Sequence, residues 1–150
     1  MQRAVAYASM DTIKLLVEYG GLVTDGGLVA HASYAHNSGQ PQRLEVVRFL
    51  LDHGASVDGL FMENANKEIP DGMAILMGRQ TGLHCAIWGG KIDMISLLLD
   101  RGADMNLSTC SALKTNGQVI SPAELARMTG HEDIATLLER RSDGAHTSSN

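Results

Sequence analysis

Asp93-Met94-Ile95-Ser96-Leu97-Leu98-Leu99-Asp100-Arg101-Gly102 reads as a short helix that stops on glycine. Met94, Ile95, Leu97 and Leu98 make one apolar face, which so short a helix cannot bury by itself. Glycine behind the last charged residue offers a left-handed helix end. The same order of acidic residue, apolar run, paired Leu/Leu-like step and charge occurs in three further places. They are Asp11-Thr12-Ile13-Lys14-Leu15-Leu16-Val17-Glu18-Tyr19-Gly20, Glu45-Val46-Val47-Arg48-Phe49-Leu50-Leu51-Asp52-His53-Gly54 and Asp133-Ile134-Ala135-Thr136-Leu137-Leu138-Glu139-Arg140-Arg141-Ser142. Copies of a unit that cannot bury its own face imply a stacked solenoid with one continuous core.

Upstream of two of these runs lie segments that identify the repeat. Thr81-Gly82-Leu83-His84-Cys85-Ala86 resembles the T-P-L-H-x-A signature of ankyrin repeats, with glycine for proline, and Ser121-Pro122-Ala123-Glu124-Leu125-Ala126 is a weaker copy that keeps the proline. Gly54-Ala55-Ser56-Val57-Asp58 and Gly102-Ala103-Asp104-Met105-Asn106 resemble the G-A-D-V-N step of that family. The resemblance implies an all-α fold, an ankyrin-repeat solenoid of stacked helix-turn-helix pairs joined by short hairpins or loops. Local chemistry agrees: Ser or Thr ahead of Pro makes an N-cap with proline at the first helical position.

Spacing locates the departures from a period of about 33. Gly20 to Gly54 is 34, Gly54 to Gly102 is 48, and Asp93 to Asp133 is 40. The repeats fall at about 1–25, 26–58, 81–106 and 121–141, with insertions at about 59–80 and 107–120. Ala32 to Glu45 is 13, against 7 from Ala86 to Asp93, so the turn near His36–Gln42 is extended. Met1-Gln2-Arg3-Ala4 aligns with Leu83-His84-Cys85-Ala86. That start fits equally a piece of a longer array and a first helix pair acting as a minimal cap. Residues 142–150 are small and polar and read as a disordered tail. Glu139, Arg140 and Arg141 suit a terminal repeat with a wetter outer face.

The 150 residues suffice for a real core. A net charge of −5 argues against nucleic acid, and no stretch approaches the roughly 20 apolar residues of a membrane span. Neither a signal segment nor a cysteine framework is evident: Cys85 reads as a small core residue, and Cys110 has no obvious pairing. These features point to the cytoplasm or nucleus.

Specific catalytic constellations are missing from the sequence. Gly20-Gly21 and Gly26-Gly27 lack the lysine of a phosphate loop, no nucleophile-elbow serine occurs, and no histidine pair has zinc spacing. No cofactor is implied. The resemblance makes His84 a structural histidine that bonds backbone between adjacent hairpins, and His53 ends a helix, where a cation suits the dipole. His31 and His36, flanking Tyr34, read either as exposed titratable side chains or as polar contacts in a groove.

In the family the first helices line a concave face, and the residues after the L-H-x-A step point into it. Carried over, these are Ala6 and Tyr7, Ser33 and Tyr34, Trp88 and Gly89, Met128 and Thr129. Aromatic residues there make preferred anchors for a protein partner, with Arg79, Gln80 and Arg127 as a polar rim. The competing reading packs the aromatics against inserted loops of the same molecule. The insertion Gly59–Gln80 is apolar, carrying Phe61, Met62, Ile69, Met73, Ile75, Leu76 and Met77, and it reads as a lid, an extra packed helix or a self-covering loop. The leading function is a non-catalytic protein–protein interaction module. The alternative is a small-molecule or catalytic pocket closed by 59–80, with His31 or His36 as general base and Tyr34 or Tyr7 as proton donor. An apolar edge at Met1–Tyr7 adds a route to self-association.

Overall fold

A computed structural model describes residues 1–24, 26–34, 41–61, 80–110 and 118–147. The helices come in pairs: α1 (Gln2–Tyr7) with α2 (Met10–Glu18), α3 (Leu28–Tyr34) with α4 (Pro41–Asp52), α5 (Gly82–Trp88) with α6 (Ile92–Asp100), and α7 (Pro122–Met128) with α8 (Glu132–Thr147). A two-stranded antiparallel ribbon, β1 (Thr109–Cys110) and β2 (Val119–Ile120), precedes the last pair, with Thr109 opposite Ile120. The first helices stack α1 on α3 on α5 on α7, and the second helices α2 on α4 on α6. This is the all-α helix-pair solenoid that the repeats imply.

Local chemistry sets each boundary. Ser121 Oγ accepts the Glu124 N–H, and the Glu124 carboxylate accepts the Ser121 N–H at 2.8 Å, closing a capping box ahead of Pro122. At the other ends Gly20, Gly54 and Gly102 take φ of 86°, 89° and 84°, a conformation that costs a side chain 1–2 kcal/mol, roughly. Ser142 stands where a fourth glycine would, and α8 runs on through Thr147. The reading of 142–150 as a disordered tail is therefore corrected for 142–147: the residue that terminates the other second helices has been replaced. Residues 148–150 lie outside the described residues. Pro41 and Gln42 belong to α4, with proline in the first turn, so the extended turn is shorter than the spacing suggested.

One core runs through the stack. Val5, Ile13, Leu28, Val29, Val47, Leu50, Leu83, Ile87, Ile95, Leu98, Leu125 and Ile134 are all buried within it. Gly82 explains the missing proline of the signature. A Cβ there would lie 2.9 Å from Val29 Cγ1 and 3.3 Å from Ser33 Oγ, so α3 and α5 pack too closely for a larger residue. Gly27 serves a similar end between the second and third pairs, since a Cβ on it would stand 2.1 Å from the Leu60 carbonyl oxygen.

A basic residue ties each pair to its predecessor. Arg43, Lys91 and His131 each stand two positions before the acidic residue of their second helix. Arg43 is buried and donates to the Val5 and Ala8 carbonyls at 2.8 and 2.9 Å, holding the end of α1. Lys91 Nζ donates to the Ser33 carbonyl at 2.8 Å, at the end of α3. The His131 ring sits over Gly90, just beyond α5. A cation suits the carbonyl end of a helix.

Candidate functional site

Every first helix closes on a large apolar residue: Tyr7 on α1, Tyr34 on α3, Trp88 on α5 and Met128 on α7. Because these helices stack in order, the four side chains mark one register along the array. Tyr7 is 76% exposed, Met128 54% and Tyr34 38%. Trp88 is half-buried and packs against the core, so it serves both the fold and the surface.

Over the second repeat this surface is occupied by the chain itself. The Phe61 ring lies 4.3 Å from His31 and 4.9 Å from Tyr34, centroid to centroid. The Phe61 N–H donates to the Gln80 carbonyl at 2.7 Å, so the two ends of the 59–80 insertion meet. The apolar character of the insertion is thus used at its base, where Phe61 covers a histidine and a tyrosine. His31 is half-buried, Nε2 has no hydrogen-bond partner among the described residues, and burial holds its pKa below the ordinary value. A buried nitrogen under a phenyl ring has no room for a substrate, and the pocket reading with His31 as base gains no support from this geometry. His36 and Arg79 lie outside the described residues.

Several other expected contact residues have structural duties. Ser33 is fully buried under α5, which corrects its reading as a partner contact: the close approach at Gly82 seals it. Gln80 is likewise buried rather than on a rim, its side-chain oxygen 3.8 Å from Cys85 Sγ, because the clasp with Phe61 draws it inward. Thr129 donates its hydroxyl to the Leu125 and Ala126 carbonyls, both at 3.0 Å, and so finishes α7. Gly89 is exposed but lies under the Lys91 side chain. Arg127 is exposed and pairs with Glu139 and Glu132, leaving a polar flank beside Met128.

Sequence reasoning did not single out Lys91, whose half-buried ammonium crosses to α3 and is held below its ordinary pKa by burial. It also overlooked a cleft of about 750 Å³ on the hairpin side, whose walls include Ser56, Asp58, Leu60, His84 and Leu107. Burial raises the Asp58 pKa, the hydrogen bond from the Asp104 N–H opposes this, and the Asp104 charge adds to it. The signal for Lys91 was its alignment with Arg43 and His131; a cleft between turns leaves no such trace. His84 has the structural role that the resemblance implied. Nδ1 accepts the Thr81 N–H at 3.2 Å and faces Thr81 Oγ1 at 2.9 Å. Burial pulls its pKa down to about 4, offset in part by a backbone hydrogen bond with Leu107. Among the described residues no group of His, Cys, Asp or Glu is placed to hold a metal ion, and no helix is long and apolar enough to cross a membrane.

A family model of the ankyrin repeat matches residues 79–110. Serine/threonine-protein kinase TNNI3K of Mus musculus is 36% identical over 100 residues, which is 65% of this chain and 10% of that protein. Diacylglycerol kinase iota of Homo sapiens is 30% identical over 136 residues, 89% of this chain and 11% of that protein. Alpha-latrocrustotoxin-Lt1a of Latrodectus tredecimguttatus is 25% identical over 161 residues, 98% of this chain and 10% of the toxin. The chain spans about a tenth of the length of these curated relatives.

Proposed function

This chain is an ankyrin-repeat protein, and from that premise we propose that it is a non-catalytic interaction module that holds a segment of another protein across the ends of its first helices. The observation that carries the proposal is the register of Tyr7, Tyr34, Trp88 and Met128, one large apolar residue at the end of each stacked first helix. Such side chains on an otherwise polar surface are preferred anchors. Phe61 fills the second position, so Tyr7, Trp88 and Met128 carry the contact and Arg127 lies on its flank. A protein kinase, a diacylglycerol kinase and a toxin each match this chain over a tenth of their length, which supports a role in binding rather than in any one chemistry. The buried Cys85 thiol fits a reducing compartment, the cytoplasm or nucleus.

The test is native mass spectrometry of complexes captured from the source cells with wild type and with Tyr7→Ser/Met128→Ser. Both residues are exposed, so the fold is expected to hold. A second polypeptide retained by wild type and lost by the variant is the expected result. Equal retention by both would refute the proposed surface, and a small mass increment in place of a polypeptide would favour a ligand pocket.

A further inference from the structure

We propose that the edge of the array where the second helices begin binds an extended, cationic segment of another protein that carries an apolar side chain at every third position. Two clefts lie on this edge, and they are the same cleft one repeat apart. The first, of about 230 Å³, is lined by Met10 and Asp11 from one pair and by Arg43 and Val46 from the next. The second, of about 380 Å³, is lined by Leu44 from one pair and by Lys91, Asp93 and Met94 from the next. Leu44 holds the position of Met10 in its own pair, and Lys91 and Met94 hold those of Arg43 and Val46. Each cleft therefore combines a buried apolar residue, Val46 or Met94, with a half-buried one, Met10 or Leu44. Ile92 continues the second row and is 44% exposed, whereas the fourth pair has Glu132 there. The row runs along the stack rather than across an end of it. Neither cleft is lined by Tyr7, Tyr34, Trp88 or Met128.

Charge says what fills the clefts. Asp11, Glu45 and Asp93 directly follow Met10, Leu44 and Ile92, and all three are exposed. At the opposite ends of the second helices the carboxylates are neutralised across the junctions, Asp52 by Arg101 and Asp100 by Arg141, both at 2.7 Å. Asp11, Glu45 and Asp93 take part in no ion pair among the described residues, although Lys14 and Arg48 lie one turn further along α2 and α4. The cations that line the clefts are already committed, Arg43 to the Val5 and Ala8 carbonyls and Lys91 to the Ser33 carbonyl. A carboxylate suits a helix start without any partner. That duty does not account for the apolar residue and the cleft beside it. Spacing sets the form of the occupant. Stacked helices lie roughly 8–10 Å apart, and a polyproline-type strand repeats every three residues, over about 9 Å. One apolar side chain in three then meets successive clefts, while basic side chains between them face Asp11, Glu45 and Asp93.

The probe is a blocked peptide of three Leu-Lys-Pro units, titrated into isotope-labelled protein while the backbone amide shifts are followed. The shifts should gather at Met10, Asp11, Leu44, Glu45, Ile92 and Asp93. Glu45→Lys/Asp93→Lys should weaken binding at least tenfold, since like charges then face each other. Ile92→Ser, which leaves the carboxylates in place, should weaken it several-fold. All three residues are exposed, so both variants should keep the circular dichroism of wild type. Peptides of Ser-Lys-Pro or Leu-Glu-Pro units should bind at least tenfold more weakly than the probe. Tyr7→Ser/Met128→Ser should bind the probe as wild type does, which keeps this result separate from the partner surface proposed above. No shift along this edge up to about 1 mM peptide would overturn the proposal. So would shifts centred on the first-helix ends, equal binding of the serine peptide, or undiminished binding by the double lysine variant.

Discussion

His84 makes the stability of this array depend on pH in a way that can be worked out from its surroundings. The ring is fully buried, and Nδ1 accepts a backbone hydrogen bond that a protonated ring could not accept. Its pKa is pulled from 6.5 to about 4 by burial, partly offset by the Leu107 backbone. Unfolded chains therefore take up a proton as pH falls through 6.5, while the folded protein resists until about 4. The stability from a neutral His84 is complete above 6.5, is lost progressively as pH falls, and is exhausted near 4. At 1.36 kcal/mol per pH unit the full span is roughly 3 kcal/mol, of which about 2 kcal/mol is gone at pH 5. With a urea slope of about 2 kcal/mol per molar, the midpoint should drop by about 1 M between pH 7.5 and pH 5 through this residue. Burial lowers the His31 pKa as well and adds a loss of the same sign, so the decisive comparison is with His84→Asn, which keeps His31. The variant should start lower at pH 7.5 and lose about 1 M less on acidification. An identical drop in variant and wild type would refute the reasoning.

Other substitutions separate packing from backbone effects. Leu98→Ala should cost about 2–5 kcal/mol, and Leu16→Ala at the equivalent exposed position less than half of that; equal urea midpoints would show that the two sites are packed alike. Gly27→Ala combines a positive φ with a collision against the Leu60 carbonyl and should destabilise by several kcal/mol, roughly, whereas Gly54→Ala, with open space around it, should cost about 1–2 kcal/mol. Similar losses at both would remove the backbone contact from the account. Arg43→Met leaves the Val5 and Ala8 carbonyls without their donor and should cost about 1–3 kcal/mol. Amide exchange should quicken in α1 while α6 stays protected, and unchanged α1 exchange would count against the tie.

The fold was legible because ankyrin-like repetition is written into the chain at several levels that agree. Glycines close three second helices, Ser121 and Glu124 cap α7, and the Leu-Leu step fixes the core face, all local chemistry that sequence order alone displays. Of the candidate site, only the register of residues at the first-helix ends was legible. Position after the signature located Tyr7, Tyr34, Trp88 and Met128, but it could not distinguish Ser33 from its neighbours. Whether that residue faces outward depends on how closely α5 approaches, which Gly82 decides from 49 residues away. Gln80 failed for the same kind of reason, since its burial comes from a hydrogen bond to Phe61 across the insertion. Ser142 shows the reverse case: a single missing glycine was visible, and its effect on the length of α8 follows from the helix ends elsewhere in the chain.

The clasp between Phe61 and Gln80 has a bearing on how this protein can change. The Phe61 N–H is bonded to the Gln80 carbonyl and the Phe61 ring rests on His31 and Tyr34, so the two ends of the insertion are joined to each other and held on the array. Lengthening a loop between ends so joined is inexpensive, since each doubling adds only about 0.6 kcal/mol of closure entropy. The solenoid therefore carries a built-in grafting port, where foreign sequence can be exchanged while the helix pairs on either side keep their mutual register.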